Sequence, residues 1–431
     1  MEVIGGAALP IHSWAADLEE GALAQARNCA NLPVAFHHVA VMADGHQGYG
    51  VPIGAVLALQ GSISPYAVGN DIGCGMALVP TTVTRPEFLA VRDELMADVA
   101  KAIPAGLGGE RTAGADETVD AITDRAFDQL EEATARSALP LSTSQSPNPT
   151  GGRALDRAAF RAKGRAQVGT LGSGNHFLEV LADDDGRVWL MLHSGSRGIG
   201  GLVCNNFHRA ALAYCADRGI QLPDPGLAWL PLDDGERWTT IGKSYQQAME
   251  AALAYAHENR RRMLDAVGDT LERRFPDAVL WDDTVNIHHN DARLERHFGA
   301  DVWVHRKGAV KAAEGVVTIT PGSMGTGSYL GVGLGNPVAY ESCSHGAGRS
   351  LSRGAARRQL ALDDQLRLVR DAGGKVFAAS TDDVLDEMPG AYKDLEAVMA
   401  NQSDLVRAVR RLTPLATYKG SDPPKRRRKH K

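Results

Sequence analysis

Strand-like and helix-like segments come in separate blocks along this chain, and this ordering limits the fold more than any other feature of the sequence. Short apolar segments broken by glycine dominate residues 36–60, whereas residues 86–136 show the three- and four-residue apolar spacing of amphipathic helices. The regular alternation that a doubly wound parallel sheet requires is missing. No period of roughly 20 to 50 residues indicates a solenoid or a propeller. The sequence therefore predicts an α+β fold, a single domain of mixed sheets with helices around them.

Individual elements are predicted from the same spacing. Strands are expected at residues 38–42, 53–59, 177–181, 188–193, 285–289, 302–305 and 316–319. Helices are expected at residues 15–30, 86–102, 117–137, 203–218, 243–267, 360–371 and 391–411. The glycine-rich residues 44–50 predict a loop, and residues 138–153, rich in Ser, Pro, Thr and Gly, predict a surface loop. We expect one domain over residues 1–420, followed by a basic tail at 421–431.

Composition excludes several classes of protein. With 44% hydrophobic and 23% charged residues, the 431-residue chain is not intrinsically disordered as a whole. No run of roughly 18 apolar residues is present, and the N-terminus lacks a basic segment followed by an apolar one, so neither a membrane span nor a signal peptide is predicted. The scattered, odd number of cysteines predicts reduced thiols in a cytoplasmic protein. These cysteines are Cys29, Cys74, Cys204, Cys215 and Cys343.

Charge is distributed unevenly along the chain. The formal net charge of -6 does not by itself suggest a nucleic-acid-binding protein. The last seven residues hold six Lys and Arg side chains, so the preceding 424 residues carry 40 basic against 52 acidic groups. We expect this tail to be disordered, and two roles stay open for it. It is either a solvated terminus or an arm that adds phosphate contacts to an otherwise acidic body.

Histidines that adjoin Gly, Ser or Asn in short apolar settings give the clearest functional signal. Asp71 and Cys74 are three residues apart across a glycine, which lets a carboxylate and a thiolate face one ion; a buried cysteine beside a capping aspartate is the other interpretation. The histidines with such neighbours include His176, His193, His288 and His289. Imidazole, thiolate and carboxylate together suit a transition metal, whereas calcium and magnesium prefer oxygen ligands. Adjacent histidines in an extended chain point to opposite sides, so only one of the pair His288 and His289 faces a given site.

Two glycine-rich segments fail the tests for common nucleotide motifs. Residues 321–328, PGSMGTGS, follow a predicted strand and suit a loop whose N–H groups meet phosphate or a base edge. They are not a Walker A loop, because no Gly-Lys-Ser/Thr ends them. Residues 172–177, GSGNHF, place Phe177 where a dinucleotide-binding fingerprint needs its third glycine. Neither segment alone predicts a nucleotide site.

Taken together, these blocks resemble the RtcB family of RNA ligases, also called tRNA-splicing ligases. The segments that carry the resemblance are HHVAVMADGHQGYGVPIGAV, AVGNDIGCGM, GTLGSGNHFLEV, MLHSGSRGIG, HHN, RKGA, PGSMGTGSYL, SCSHGAGR, AYKD and YKG. They occur in the family's order from residue 37 to residue 420 and so cover nearly the whole chain. Ala43 and Gly45 replace the proline and valine usual in the family, a change that affects loop stiffness, whereas Asp44 and His46 are retained.

The resemblance implies an enzyme, an RNA ligase acting in tRNA splicing or RNA repair. It would join RNA ends carrying a 3′-phosphate or 2′,3′-cyclic phosphate to 5′-hydroxyl ends, with GTP and two Mn(II) ions. The motifs imply that Cys74 bridges the two ions, with two histidines completing one site and a carboxylate and a histidine the other. These further ligands are His193 and His289 for the first site and Asp71 and His176 for the second. His345 would be the catalytic residue that carries GMP covalently.

The same motifs imply the nucleotide and RNA contacts. The positions expected to hold GMP are Asn175, His176, Phe177, Leu178, Glu179, His289, Asn290, Pro321, Gly322, Ser323, Met324, Ser328, His345, Gly346, Ala347, Gly348, Tyr392 and Lys419. Arg197 and Arg349 are expected to contact phosphate or RNA. The RNA substrate, the need for an archease-type activator and the oligomeric state stay open.

Two other functions fit parts of the sequence. A metal-dependent phosphoesterase without ligation would need only the metal ligands, and the presence of His345 and Lys419 argues against it. A non-catalytic RNA-binding protein would depend mainly on the basic tail. A complete set of metal ligands together with a nucleophile favours the ligase over both alternatives.

Overall fold

Two sheets flanked by helices form the framework of the chain. The computed structural model describes residues 1–106, 109–111, 114–144, 154–233, 235 and 237–420. The α-helices of these residues are α1 (Glu20–Ala30), α2 (Pro65–Val68), α3 (Arg85–Ala102), α4 (Glu117–Ser137), α5 (Arg157–Gln167), α6 (Arg197–Asp217), α7 (Arg237–Glu272), α8 (Arg353–Gln359), α9 (Leu362–Asp371) and α10 (Leu395–Asn401). Short 3-10 helices lie at Pro225–Leu227, Trp281–Asp283, Pro337–Ala339, Asp382–Glu387 and Pro389–Ala391.

The strands of the described residues follow in chain order. They are β1 (Glu2–Ile4), β2 (Ile11–Ser13), β3 (Ala35–Tyr49), β4 (Val51–Leu59), β5 (Ser62–Ile63), β6 (Gly75–Thr84), β7 (Phe177–Asp183), β8 (Arg187–Ser194), β9 (Leu230–Pro231), β10 (Val285–His288), β11 (Asn290–His297), β12 (Ala300–Lys307), β13 (Ala309–Lys311), β14 (Val317–Pro321), β15 (Ser328–Gly333), β16 (Ser342–Ser344), β17 (Val376–Phe377) and β18 (Val406–Tyr418).

Both large sheets connect distant parts of the chain. The first has the order β1-β2-β3-β4-β12-β11, and the second has the order β10-β6-β8-β7-β18-β15-β14, with β17 beside β18. Strands β2 and β3 are parallel, as are β17 and β18, whereas the other neighbouring strands in these sheets are antiparallel. Mixed sheets with helices outside them confirm the predicted α+β class.

Helix α7 joins the two halves of the fold into one domain. Its first half contributes Tyr245 and Ala248 to a core that also contains residues of the first sheet. Its second half contributes Met263 and Val267 to a core beneath the second sheet. Because one continuous helix is buried in both cores, the two sheets cannot separate without exposing its apolar face.

The strands of the second sheet bury both of their faces. In β6, Met76 and Leu78 lie in one apolar cluster, and Ala77 and Val79 lie in another. This two-residue period sends alternate side chains to opposite faces. Cys74 directly precedes β6. If the same two-residue period continues back to Cys74, its side chain lies on the same face of the sheet as that of Met76.

Two of the predicted elements are wrong. Residues 44–50 were expected as a loop, but β3 runs through them to Tyr49, with shifts in its register against β4 on both sides of His46. The glycines there permit a bulged strand as well as a loop. Residues 391–411 were expected as a helix, but only Leu395–Asn401 is helical and β18 begins at Val406. Pairing of β18 with β7 and β15 overrides its helix-compatible spacing.

Other predicted elements agree with the structure, and some parts of the prediction lie outside it. Helix α4 occupies the predicted range 117–137, and α5 was missed altogether. Residues 145–153 of the predicted surface loop and the tail at 421–431 lie outside the described residues. Within the part that the structure describes, no helix is long and apolar enough to span a membrane.

Candidate active site

Three buried side chains converge where β6 begins and its neighbours β8 and β10 end. Sγ of Cys74 lies 3.2 Å from Nε2 of His193, and the Nε2 atoms of His193 and His289 are 3.3 Å apart. Two facing imidazole nitrogens both present lone pairs unless a proton or a cation lies between them. One sulfur and two nitrogen atoms within 4.8 Å of one another form a donor set that fits a transition-metal ion.

A second group of potential ligands shares the same sulfur. Nε2 of His176 lies 3.0 Å from Oδ2 of Asp71 and 3.5 Å from Sγ of Cys74. Nδ1 of His176 is 3.0 Å from the carbonyl oxygen of Leu171, which fixes the ring. Burial opposes ionisation of Asp71, but its hydrogen bond with His176 lowers the carboxyl pKa to about 2. Asp71 is therefore a carboxylate at neutral pH, and Cys74 belongs to both groups.

The protonation states of these groups suit cation binding. Burial, together with neighbouring histidines, lowers the pKa values of His193 and His289 well below their ordinary range. Neutral imidazole is the form that binds metals. Burial and the Asp71 carboxylate raise the pKa of the Cys74 thiol well above its usual value. A bound divalent cation acts in the opposite direction and favours the thiolate.

Strand register explains how the sequence brings these groups together. His193 is paired with Met76 on one side and with Phe177 on the other, so all three lie at the same level of the second sheet. The backbone N–H of His289 donates to the carbonyl oxygen of Cys74 at 2.9 Å. A side chain at Gly172, whose φ is 91°, would collide with the Arg197 guanidinium and the His176 ring. Glycine is therefore required at this close approach.

His345 stands beside the first metal group, held by a buried carboxylate. Its ring centroid is 4.8 Å from that of His289. Oδ2 of Asp44, which is fully buried, accepts hydrogen bonds from the backbone N–H groups of His345 and Gly346 at 3.2 and 3.3 Å. Nδ1 of His345 is 2.6 Å from the same oxygen, a hydrogen-bond distance without hydrogen-bond alignment. The carboxylate therefore faces Nδ1 and leaves Nε2 on the far side of the ring.

Charged residues are buried behind Phe177. Burial raises the pKa of Glu179 to about 7, and Oε1 of Glu179 accepts a hydrogen bond from Thr417 at 2.6 Å. Nζ of Lys419 lies 5.8 Å from the centroid of the Phe177 ring and 3.5 Å from Oε2 of Glu387. Burial lowers the pKa of Lys419, and the Glu387 carboxylate opposes this shift. Glu179 thus offers a hydrogen-bond acceptor and Lys419 a hydrogen-bond donor in the region behind Phe177.

A cleft of about 380 Å³ connects these groups. Cys74, His193, His289 and His345 lie along it, together with Tyr392, whose hydroxyl bonds to Glu387. Pockets of this size accommodate small ligands and cofactors. The cleft thus brings together two potential cation sites and the imidazole of His345, and the charged side chains of Glu179 and Lys419 are buried behind its lining residues.

Known proteins are similar to this chain over nearly its whole length. A family profile described as tRNA-splicing ligase RtcB matches residues 25–420. The chain is 36% identical to the RNA-splicing ligase RtcB of Escherichia coli, over 95% of the chain and 97% of that protein. It is 34% identical to the tRNA-splicing ligase RtcB of Thermococcus kodakarensis, over 93% of the chain and 92% of that protein. The chain belongs to the RtcB family.

Most of the nucleotide residues predicted from the RtcB motifs line the cleft. Those on its walls are Asn175, Phe177, His289, Asn290, Pro321, Gly322, His345, Gly346, Ala347, Gly348 and Tyr392. Arg349 also lines it, with its guanidinium bonded to Glu387 at 3.1 Å. Arg197 lies behind the wall and donates from Nε to Thr170 Oγ1 at 3.2 Å. His176, Glu179 and Lys419 are buried behind the lining residues.

Four predicted nucleotide residues lie away from the cleft walls. The side chain of Leu178 belongs to the core on the opposite face of β7, so only its backbone is available to a ligand in the cleft. Met324 packs with apolar residues next to α9. Oγ of Ser323 is 3.1 Å from Oγ1 of Thr326. Oγ of Ser328 is buried and has no hydrogen-bond partner among the described residues.

Several residues at this RtcB-family site were not singled out as site residues from the sequence. Lys307 and Arg353 line the cleft, and Glu387 and Asp44 contact residues that do. Asp44 lies two residues before His46 in one of the segments that carry the family resemblance, so its motif was visible. Lys307 lies in the RKGA segment, but the sequence gives no sign that its Nζ donates to Tyr49 O at 2.7 Å or that burial lowers its pKa to about 8.

Proposed function

We propose that this chain is an RNA ligase that uses GTP and two Mn(II) ions to join RNA 3′-phosphate or 2′,3′-cyclic phosphate ends to 5′-hydroxyl ends. The physiological setting would be tRNA splicing or RNA repair. The observation that supports this most is the position of His345 in the same cleft as Cys74, His193 and His289, with its ring 4.8 Å from that of His289. Membership of the RtcB family supports the ligase class independently of the geometry.

The proposed ions would be held by two groups that share one sulfur. Cys74, His193 and His289 would hold one ion, and Asp71, Cys74 and His176 the other. Bound divalent ions supply charge neutralisation for phosphate oxygens and help to align the reacting groups. Soft thiolate and imidazole ligands favour a transition metal over magnesium or calcium.

His345 would act as the nucleophile toward GTP. The lone pair on Nε2 attacks the α-phosphorus, a P–N bond forms, and the bond to the bridging oxygen breaks so that pyrophosphate leaves with the electron pair. The Asp44 carboxylate beside Nδ1 would compensate the positive charge that the ring acquires. Because Oδ2 of Asp44 also accepts from the backbone of His345 and Gly346, the carboxylate and the ring are fixed relative to each other.

GMP would then activate the RNA end. An oxygen of the RNA 3′-phosphate attacks the same phosphorus, and the P–N bond breaks, returning the electron pair to Nε2 of His345. The 5′-hydroxyl of the second RNA next attacks the 3′-phosphorus, passes its proton to the solvent, and displaces GMP, which leaves with the electron pair of the broken P–O bond. A 2′,3′-cyclic end would first be hydrolysed to the 3′-phosphate. Arg197 and Arg349 are the residues we assign to phosphate or RNA contact during these steps.

Guanine selectivity would come from the groups behind Phe177. An ammonium such as Lys419 donates to the carbonyl oxygen of guanine, and a carboxylate such as Glu179 accepts from its N–H groups. Adenine reverses part of that pattern, because it presents an amino group where guanine has a carbonyl. Buried polar groups left without partners discriminate strongly against the wrong ligand.

A joining assay with defined RNA ends tests the proposal. One RNA carries a 3′-phosphate, a second carries a labelled 5′-hydroxyl end, and the reaction contains Mn(II) with GTP, with ATP or with no nucleotide. We expect a joined product with GTP, much less with ATP and none without nucleotide. Removal of the 3′-phosphate without joining would contradict the proposal and identify a phosphoesterase. Binding of RNA without any change to its ends would identify a non-catalytic protein.

A further inference from the structure

A single arginine in the middle of α7 is buried beneath the three strand ends that carry the first metal group. Arg260 has no exposed surface, although arginine is almost never fully buried without partners. Its Nη1 donates to the carbonyl oxygens of Gly73 and Ser194 at 2.7 and 2.8 Å. Its Nε donates to Oδ1 of Asn286 at 2.7 Å, and its Nη2 lies 3.0 Å from Nδ1 of His288. The guanidinium is thus bonded on all three nitrogens.

Three of the residues that accept hydrogen bonds from Arg260 are direct chain neighbours of the first metal group. Gly73 immediately precedes Cys74, Ser194 immediately follows His193, and His288 immediately precedes His289. One planar group therefore contacts a direct chain neighbour of every member of the first metal group.

The helix supports this contact with a second residue. Asn259, also fully buried, donates from Nδ2 to the carbonyl oxygen of Gly195 at 3.0 Å and to Oγ of Ser194 at 3.2 Å. The strand segment after His193 is thereby held from two consecutive positions of α7. An apolar side chain would fill this space in the core at a lower desolvation cost than a guanidinium. The cost is offset only because the charge bonds to carbonyls and side chains at the strand ends.

We propose that Arg260 is a positioning residue for the metal centre. Its rigid fork sets the spacing of the segments that carry Cys74, His193 and His289, and so preorganises their ligand atoms before an ion binds. The proposal depends on the proposed function, in which these three side chains hold a metal ion. Arg260 does not itself touch the ion or the substrates.

Metal binding by variants of the full chain tests this role. Arg260→Lys keeps a positive charge but replaces the planar fork with one nitrogen, which cannot reach all four acceptors. We expect its affinity for Mn(II), titrated alone, to fall about 10- to 100-fold, the usual cost of changing a group that orients metal ligands. With Co(II) alone, we expect a weaker or shifted thiolate-to-cobalt absorption band in the folded variant, which a loss of stability that leaves the fold intact would not produce. The matched control is Arg261→Lys, whose half-exposed side chain pairs with Glu258 and Asp265.

A second pair of variants keeps the test decisive if Arg260→Lys does not fold. His288→Phe preserves a ring but removes the acceptor for Nη2 of Arg260, whereas His288→Asn retains an acceptor near the same place. We expect weaker Mn(II) binding in His288→Phe and recovery in His288→Asn. Wild-type affinity in Arg260→Lys or in His288→Phe, or an equal loss in Arg261→Lys, would overturn the role of Arg260. Failure of the wild-type chain to bind Mn(II) or Co(II) would instead overturn the proposed metal centre.

Discussion

The sulfur atom of Cys74 is proposed to bind both metal ions. Sγ of Cys74 lies within 3.5 Å of a nitrogen from each of the two metal groups. We expect Cys74→Ala to lose both ions together, because each group retains only two ligands. Metal content after dialysis, measured by mass spectrometry, checks this. Cys215→Ala, which changes a buried thiol in α6, is the matched control. Full occupancy of one ion in Cys74→Ala would contradict the shared ligand.

Glu179 gives a pH-dependent prediction at the same scale. Burial raises its pKa to about 7, above the ordinary value of 4.5, so the folded state binds its proton more tightly than the unfolded state. The free energy of unfolding should therefore decrease as pH rises from the unfolded pKa to the folded one, by up to about 3 kcal/mol. We expect Glu179→Gln to remove this decrease. Urea unfolding of both proteins without metal or GTP, at several pH values from 4.5 to 8, measures the difference; identical pH profiles would contradict it.

Sequence could indicate some of the site residues and not others, for a physical reason. Some predicted ligands, namely Cys74, His176 and His193, lie in apolar, glycine-containing segments that predict burial. A buried polar side chain normally has a bonding partner, so these residues could be recognised as candidate ligands. Arg260 and Glu387 lie in charge-rich segments, ENRRRM and DVLDEMP, which are typical of an exposed surface. Arg260 is buried because α7 packs against the strand ends. Glu387 is buried because the 3-10 helix Asp382–Glu387 packs under the cleft.

At the scale of elements, α5 shows which interactions hold a helix in place. Phe160 is fully buried and packs against Phe127 of α4, with ring centroids 5.6 Å apart. Next to it, Arg161 forms an ion pair with Asp124 on a partly exposed face. We expect Phe160→Ala to lower the free energy of unfolding by about 3 to 5 kcal/mol. We expect Arg161→Ala to lower it much less, since water screens exposed pairs. Urea unfolding compares the two variants, and a larger loss in Arg161→Ala would contradict this account.

Local spacing predicted the helices better than the long strands. Helix α4 was predictable because its apolar residues recur at three and four positions and Asp116 caps its first turn. Strand β18 was not, because the sequence VRAVRRLTPLATY carries no strict alternation over its first half and its partners β7 and β15 are distant along the chain. The loop prediction at 44–50 failed for a different reason, since β4, which follows directly in the chain, pairs with this stretch although its glycines indicate a loop.

At the scale of the whole molecule, the basic tail gives a prediction about RNA. Gly420 lies close to the backbone of Gly172, and Gly172 lies close to Arg197 and His176, so the last described residue is near the candidate metal groups. If the tail contacts RNA, deleting residues 423–431 should weaken RNA binding at low salt. The slope of log affinity against log salt should fall in magnitude by up to about 0.7 for each RNA phosphate that the tail had neutralised. Equal affinity and equal slope would show that the tail is a solvated terminus.

The truncated chain retains Lys419 and His345, so RNA binding by the tail can be measured separately from GTP binding and GMP transfer. We expect the truncated protein to bind GTP and to acquire GMP as the full chain does, because those groups lie in the domain that α7 holds together.

Covalent transfer of GMP to His345 is the central claim, and intact-mass analysis tests it most directly. After incubation with GTP and Mn(II), the full chain should gain the mass of one GMP, and fragmentation should place that mass on His345. His345→Ala should show no added mass while retaining Mn(II) binding and an unchanged unfolding midpoint. An adduct on another residue, an adduct in His345→Ala, or no adduct in a wild-type chain that binds both GTP and Mn(II) would contradict the account.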